Sequence, residues 1–365
     1  MKHWYIALLL TLATAASCFA GNEHHYLYLT TPDGAQGGGS GVGLMVFDID
    51  QGHKLVNRID VPSFREGVRG VCANAKTRRI YVTTTSRRIV CLDLMTNAGG
   101  KPSAKVAWQK QYDTGCDRLA ITPDGKTLYV PCGWWTTQKT WLVVDAKDGR
   151  ELSRIATPAA GHNTLVSLDG SRAYLASNSW LSVVDTKTNA VLREIKSNSR
   201  NFFPFTINAD HSRAYVCLGQ EVGFEVMDPH AGKILETVYP DGPRQNHRTH
   251  GIGLTPDEKE IWIAIQGDSA IYVFDNTANP PTQKARLEVS KAGHGWIGFS
   301  RDGHYAYTSS VEVFDAKTKK VAAILKDEMD KPVCGSKFVE VDFKDGQVSA
   351  VGDQFGVGRK STQPD

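Results

Sequence analysis

"AITPDGKTLYV", residues 120–130, joins a short apolar segment to a Thr-Pro-Asp-Gly turn and an apolar stretch that ends in Tyr129 and Val130. An Asp-Gly pair between alternating apolar residues indicates a tight turn between two antiparallel strands. Related phrases recur as "CANAKTRRIYV", "VSLDGSRAYL", "INADHSRAYV", "LTPDEKEIWI" and "FSRDGHYAYT". The chain is therefore built from a repeated hairpin.

The aromatic residue of each phrase recurs at a nearly constant interval. Tyr81, Tyr129, Tyr174, Tyr215, Trp262 and Tyr307 are 48, 45, 41, 47 and 45 residues apart. An apolar run ending in aspartate repeats in step, at Asp48, Asp93, Asp145, Asp185, Asp228, Asp275 and Asp315. Alternating β-branched and aromatic residues without a helical period predict four short antiparallel strands per unit. Units of about 40 to 50 residues in an array are typical of a β-propeller.

The repeat predicts an all-β, seven-bladed β-propeller with four-stranded antiparallel blades. Six units lie between about Gly67 and Lys326. The seventh is expected to be shared by the N-terminal segment and by "KFVEVDFKDGQVSAVGD", residues 337–353. That sharing would close the ring with N- and C-terminal strands and remove an exposed sheet edge. Both ends offer a candidate second strand for this shared blade.

The strand sequences "IYVTT", "LYVPCG" and "AYVCLG", each after such a turn, resemble the YVTN-repeat family of seven-bladed propellers. The resemblance covers nearly all of the chain beyond residue 20. It implies that ligands enter a central funnel, lined by the innermost strands and the loops before them. Related propellers include secreted binding proteins, lactonase-like enzymes and parts of periplasmic redox enzymes, and the fold alone does not choose among them.

The N-terminal segment and the bulk charge bear on where the protein works. "MKHWYIALLLTLATAASCFA", residues 1–20, predicts a secretory signal peptide, followed by a single domain over 21–365. Lipidation at Cys18 is a second interpretation. No later stretch reaches the roughly 20 apolar residues of a membrane span, so we expect an exported monomer, periplasmic or extracellular. Lysine plus arginine total 42 against 39 acidic residues, a balance that argues against nucleic-acid binding.

Six cysteines lie beyond residue 20, and no pair has the CxxC spacing of structural zinc sites. Cys116 and Cys132 are nearly symmetric about the turn at Asp124-Gly125. A tight hairpin there predicts a disulfide between them.

The candidate site lies where the innermost strands begin. This position is seven residues before the aspartate of each Thr-Pro-Asp-Gly-like turn, such as Asp124, or before its equivalent. The predicted ligand-binding residues in and beside this register are Arg69, Asp117, Arg118, His162, Asn201, His247, Arg248, His250 and His294. In a ring of blades these positions converge on one axis. Imidazole and guanidinium groups there suit an anionic or carbonyl-bearing ligand.

The sequence is consistent with three functions. The first is binding of a small ligand or partner protein at the funnel. The second is a lactonase-like hydrolase, in which His162 or His250 activates water and an arginine holds the oxyanion. The third is a subunit of a periplasmic redox complex. The alternative for each histidine is a hydrogen bond to a loop carbonyl at the start of its strand.

No cofactor and no metal are expected at the funnel. A metal is disfavoured because histidines from separate blades would have to come within about 2.1 Å of one zinc ion. His24 and His25 could bind copper beside a free amino terminus, but we expect them in a disordered end.

Two further expectations concern residue pairs and repeats. Asp117 and Arg118 are adjacent, and neighbours on a regular strand point to opposite faces, so only one should face the axis. Asp117 there would pair with His162 or with Arg69. The seven repeated aspartates should open Asx turns between outer strands.

Three tryptophans, Trp134, Trp135 and Trp141, lie around one hairpin connection. They should either form a partner or sugar surface or pack against a neighbouring blade.

Overall fold

The computed structural model describes residues 23–33, 38–200, 204–242 and 247–353. In these ranges it consists of 29 β-strands and one 3₁₀ turn, Pro62–Glu66, with no α-helix. No helix in the described ranges has the length and apolar character needed to cross a membrane. The predicted signal peptide and the candidate residue Asn201 lie outside the described residues.

The strands follow one another along the whole described chain. They are β1 (Glu23–Asp33), β2 (Gly38–Asp48), β3 (Lys54–Ile59), β4 (Val68–Asn74), β5 (Arg79–Thr84), β6 (Arg88–Thr96), β7 (Pro102–Gln111), β8 (Ala120–Ile121), β9 (Thr127–Pro131), β10 (Thr140–Asp145), β11 (Glu151–Ala156), β12 (Gly161–Val166), β13 (Arg172–Ser177), β14 (Trp180–Asp185) and β15 (Val191–Lys196). They continue as β16 (Phe205–Ile207), β17 (Ala214–Cys217), β18 (Phe224–Asp228), β19 (Lys233–Val238), β20 (Arg248–Leu254), β21 (Glu260–Gln266), β22 (Ala270–Asp275), β23 (Thr282–Glu288), β24 (Ile297–Phe299), β25 (Tyr305–Thr308), β26 (Glu312–Asp315), β27 (Val321–Ile324), β28 (Phe338–Lys344) and β29 (Gln347–Asp353).

Most strands form four-stranded antiparallel sheets in which each strand pairs with the next along the chain. Five such sheets are separate, β8–β11, β12–β15, β16–β19, β20–β23 and β24–β27, and β4–β7 repeat the pattern within a larger sheet. The first strands of successive sheets lie side by side, as β4 does with β8, β8 with β12, and β20 with β24. Sheets arranged around a centre in this way make a β-propeller.

The two ends of the described chain meet in one sheet. β1 lies between β28 and β2, and His25 is opposite Asp342 while Leu29 is opposite Phe338. β29 pairs with β28 and β3 with β2, so five strands adjoin here instead of the expected four. The difference arises because the C-terminal segment brings a complete hairpin of its own. A single parallel bridge, Asp33 to Val68, joins this group to β4.

The repeated aromatic residues are packing residues, as predicted. All six are buried, and four of their polar atoms reach another sheet or turn. Tyr129 Oη donates to Asn189 Oδ1 at 2.7 Å, and Tyr215 Oη accepts from Asn276 Nδ2 at 3.1 Å. Tyr174 and Tyr307 pair likewise with histidines. These four rings thus fill the space between sheets while their hydroxyls find a partner at a neighbouring turn.

The repeated aspartates open turns at six of the seven positions. Each carboxylate accepts a backbone N–H two or three residues later, at Asp48, Asp145, Asp185, Asp228, Asp275 and Asp315. Asp93 differs, because β6 continues past it to Thr96. Its carboxylate instead accepts from Arg79 Nε at 2.8 Å.

The predicted Cys116–Cys132 disulfide is wrong, since both residues are free, buried thiols. β8 pairs with β9 through Ala120 to Tyr129 and Ile121 to Leu128. Before Ala120 the ladder does not continue: the backbone N–H of Asp117 donates to the carbonyl of Pro131, and that of Arg118 to the carbonyl of His162 in another sheet. The symmetric hairpin on which the predicted disulfide depended therefore does not extend to Cys116.

Candidate functional site

Three of the predicted site residues sit at the same backbone irregularity in three sheets. The pairing of the first two strands shifts at Arg69 in β4, at His162 in β12 and at His250 in β20. Each is the extra residue of a β-bulge, a device that bends a strand and re-aims a side chain. The bulge therefore explains why this register turns polar groups toward the centre of the propeller.

Asp117 is the hub of these contacts. Its Oδ2 lies 2.7 Å from Nδ1 of His162, and its Oδ1 lies 3.4 Å from Arg69 and 3.5 Å from Arg118. All four side chains are buried, and they come from three successive sheets. Both predicted partners of Asp117 are thus present at once.

The expectation that only one of Asp117 and Arg118 faces the centre is wrong. The residues before β8 do not form a regular strand; Arg118 makes only an isolated parallel bridge with Asn163. Its backbone N–H donates to the carbonyl of His162 at 3.3 Å, and its guanidinium donates to the carbonyl of Arg69 at 3.0 Å. Strand alternation does not apply to such a segment, so both side chains enter the cluster.

Arg118 and Asn163 have unused hydrogen-bonding capacity. The guanidinium of Arg118 lies over the ring of Trp296, 4.1 Å from its centroid. Its Nε and second terminal nitrogen are buried and have no hydrogen-bond partner among the described residues. The same holds for both side-chain polar atoms of Asn163 within the described ranges. Buried polar groups without a protein partner cost about 1–3 kcal/mol each and call for a ligand or water.

The three histidines meet at the same place. The ring centroids of His162 and His250 are 6.0 Å apart, and those of His250 and His294 are 4.0 Å apart. Nδ1 of His250 lies 3.1 Å from the carbonyl oxygen of Gly295, in the loop before β24. His250 therefore has the loop-carbonyl bond that was the structural alternative, whereas His162 is held by a carboxylate.

Asp33 and Lys337 complete the cluster, and the sequence analysis missed Asp33. The ammonium of Lys337 lies 3.0 Å from Asp33 Oδ2, and both side chains are buried. Asp33 ends β1 and Lys337 immediately precedes β28. From the sequence alone, Asp33 is predicted only as a turn residue before Gly34. A prediction that β1 pairs with β28 would have placed it in the central cluster.

Burial and neighbouring charges set the protonation of the cluster. Burial opposes ionisation of Asp117, but Arg69 and His162 lower its pKa to about 2. Burial lowers the pKa of His162 to about 4, despite Asp117. Burial and Arg118 together lower the pKa of Lys337 to about 7. Burial also lowers the pKa of His250 and His294. At neutral pH the site therefore holds two arginines, a partly protonated lysine and three neutral imidazoles against two carboxylates.

Two further predicted residues, His247 and Arg248, lie at the start of β20. Arg248 is half-buried and donates from Nε to Gln266, its partner across β20 and β21. His247 is half-buried immediately before β20. Trp135 lies under the guanidinium of Arg69, 4.2 Å away, while Trp134 is 58% exposed. One tryptophan thus packs against the site and the other faces solvent.

A different part of the chain brings together groups that could hold a metal. Within the described ranges, one such set is present: three possible ligand atoms, one each from Glu23, His25 and Asp342, lie within 4.8 Å of one another. The expectation of a disordered end at His24 and His25 is wrong, since both lie in β1.

No protein-family model and no curated protein matches the chain. Among solved structures, it is similar to the Kuenenia stuttgartiensis hydrazine synthase, with 18% sequence identity and a TM-score of 0.56 over 69% of this chain and 77% of that chain. It is also similar to the β-propeller domain of Cps50 (Swd1) from Myceliophteria thermophila, with 10% identity and a TM-score of 0.58 over 77% and 92% of the two chains. At such identities the likeness establishes the β-propeller fold alone.

Proposed function

We propose that this protein is an exported, seven-bladed β-propeller that binds a small anionic ligand in its central cluster. The pairing of β1 with β28 supports a ring closed by the two ends of the chain. The seven-fold repeat and the β4–β7 pattern support seven blades. The cluster of Arg69, Arg118 and Lys337 supplies the positive charge.

The observation that carries the ligand proposal is the state of Arg118. Its side chain is fully buried, yet two of its nitrogens have no hydrogen-bond partner in the described part of the chain. A guanidinium presents a planar fork that matches a carboxylate or phosphate. Trp296 holds the fork flat from one side. An anion on its free edge would satisfy the nitrogens and complete the charge balance.

The neighbouring groups narrow the ligand class. Asn163 offers one donor and one acceptor, so the ligand should carry a hydroxyl or carbonyl near its anionic group. The pKa of Lys337, lowered by burial and Arg118, indicates that positive charges are crowded there. A small hydroxy- or oxo-carboxylate fits this combination better than a bulky or cationic molecule.

Thermal unfolding tests this proposal. The protein would be heated with a panel of small hydroxy- and oxo-carboxylates, inorganic phosphate, and the corresponding uncharged amides. Ligands that bind only the folded state raise the melting temperature by mass action. We expect stabilisation by at least one carboxylate and none by its amide. Equal effects of acid and amide would contradict an anionic site.

A second candidate is hydrolysis, as in lactonase-like enzymes, and the Asp117–His162 pair favours it. Asp117 binds Nδ1 of His162 at 2.7 Å. That contact fixes the tautomer and leaves Nε2 to accept a proton, as in catalytic triads. The pKa of His162, lowered by burial to about 4, keeps the ring neutral at pH 7 and able to act as a base. Of the two predicted bases, His162 is the better oriented.

Lactone hydrolysis by two variants separates the candidates. His162→Gln should abolish turnover, since the amide retains a hydrogen bond to Asp117 but cannot take a proton. His250→Gln should retain measurable turnover, because Nδ1 of His250 bonds to the neutral Gly295 carbonyl, which stabilises an imidazolium less than the Asp117 carboxylate does. Full activity in His162→Gln would exclude it as the base, and no activity in the parent would leave binding as the function.

A further inference from the structure

The opposite end of β1 from Asp33 carries a second group of polar residues. Glu23 and His25 are two residues apart and share one face of β1. Asp342 of β28 is the direct cross-strand partner of His25. Ten residues of extended chain separate Glu23 from Asp33, roughly 33 Å. This group is therefore distinct from the central cluster.

Asp50 fixes the orientation of His25. Its Oδ1 lies 2.8 Å from Nδ1 of the ring, and its Oδ2 accepts the backbone N–H of the same residue at 2.9 Å. A carboxylate on one ring nitrogen fixes the tautomer and leaves the other nitrogen as a ligand, an arrangement common around metal-binding histidines. Nε2 of His25 is the nitrogen left available on the Glu23 side.

The spacing of the ligand atoms fits an ion better than a hydrogen bond. Nε2 of His25 lies 3.9 Å from Oε1 of Glu23, beyond hydrogen-bonding distance. Tetrahedral zinc with bonds of about 2.0–2.2 Å holds its ligand atoms roughly 3.4 Å apart. An approach of a few tenths of an ångström by the exposed side chain of Glu23 would bring this pair to that spacing.

Asp342 supplies an independent sign of a missing ligand. Its side chain is 1% exposed, and Oδ2 pairs with Arg301. Its Oδ1 is buried and has no hydrogen-bond partner among the described residues. A buried acceptor without a partner is costly, and Asp342 contributes one carboxylate oxygen to the set of three ligand atoms that lie within 4.8 Å of one another.

The local charge also attracts a cation. Glu23, Asp50 and Asp342 surround His25, with Arg301 as the facing cation. The site thus holds more negative charge than its own groups balance.

We propose that Glu23, His25 and Asp342 bind one divalent ion of the zinc class, with Asp50 orienting the imidazole. Imidazole and carboxylate together suit such borderline ions. Two of the ligands belong to β1 and one to β28. The ion would therefore link the first described strand to the C-terminal hairpin and stabilise their pairing.

Zinc binding to the untagged protein tests this proposal. After chelator treatment and dialysis, the protein would be titrated with ZnCl₂ by calorimetry and in competition with a chromophoric chelator. We expect one equivalent of Zn²⁺ and a zinc-dependent rise in melting temperature. Glu23→Gln and His25→Gln should each lose at least 10-fold in affinity. Glu23 is exposed, so its variant should fold normally by circular dichroism.

His24→Gln is the matched control, because it changes the adjacent histidine, whose ring stacks on Tyr26. It should bind zinc like the parent. Three outcomes would overturn the proposal: no stoichiometric zinc in the folded parent, unchanged affinity in both Glu23→Gln and His25→Gln, or a loss in His24→Gln as large as that in His25→Gln.

Discussion

Aspartates at the outer turns and Asp117 at the centre show two uses of one residue type. Asp185 is typical of the outer group: it is partly exposed and accepts backbone N–H groups of its own turn. Asp117 is buried and bonded to side chains of neighbouring sheets. The outer aspartate recurs in nearly every unit, whereas Asp117 has no aspartate at the equivalent position of the other units. Residues that follow the repeat build the propeller, and residues that depart from it make the candidate site.

The largest difference between the two regions is expected on removal of the carboxylate. Asp117→Ala leaves Arg69 and Arg118 buried without their counter-charge, which should cost about 3–5 kcal/mol of unfolding free energy. Asp185→Ala removes turn contacts and a partly exposed ion pair with Arg172, and it should cost less. Urea unfolding of both variants measures this. Equal losses of unfolding free energy would mean that Asp117 contributes no more to stability than an aspartate in an outer turn.

Lowering the pH should reduce the free energy of unfolding through the buried His162 of the central cluster before it affects the exposed turns. The pKa of His162 is about 4 in the folded protein, against 6.5 for the free side chain, because burial disfavours its charged form. The unfolded chain therefore takes up a proton below about pH 6.5 that the folded chain refuses until about pH 4. Stability falls through that window, by about 3 kcal/mol at most.

His162→Gln should flatten that decline, and His304→Gln, on the exposed surface, should not. Urea unfolding at pH 7.5, 6 and 5 gives the pH dependence of the unfolding free energy for the parent and for each of the two variants. Parallel profiles for the parent and His162→Gln would show that this imidazole does not titrate with folding.

A smaller difference is expected for glycines. A Cβ on Gly251 would lie 2.5 Å from the Gly295 carbonyl and 2.6 Å from Cα of Trp296. Backbone cannot move aside cheaply, so Gly251→Ala should cost about 1–3 kcal/mol. Gly99→Ala, in an exposed turn, meets nothing closer than 3.4 Å. Melting temperatures of the two variants measure the contrast, and a neutral Gly251→Ala would mean that adjacent inner strands are loosely packed.

The repeat made most of the fold predictable, because strand alternation, aromatic spacing and turn aspartates are local signals. The candidate site was predictable only as a register. Arg69, His162 and His250 were predicted from their common position in the repeat, which the structure shows to be a recurring bulge. Asp33 was missed, since only the pairing of β1 with β28 brings it inward. The Asp117–Arg118 geometry and the free cysteines depended on the irregular segment before β8, which side-chain periodicity does not reveal.

The most direct measurement is the affinity of the best-stabilising carboxylate for the parent, Arg118→Met and Arg79→Met, by calorimetry at pH 7. Arg79 is the matched control, since it pairs with Asp93 outside the central cluster. We expect one site per chain, about 100-fold weaker binding in Arg118→Met because a buried charged contact is lost, and unchanged binding in Arg79→Met. Parent-like affinity in folded Arg118→Met would contradict the central anion site.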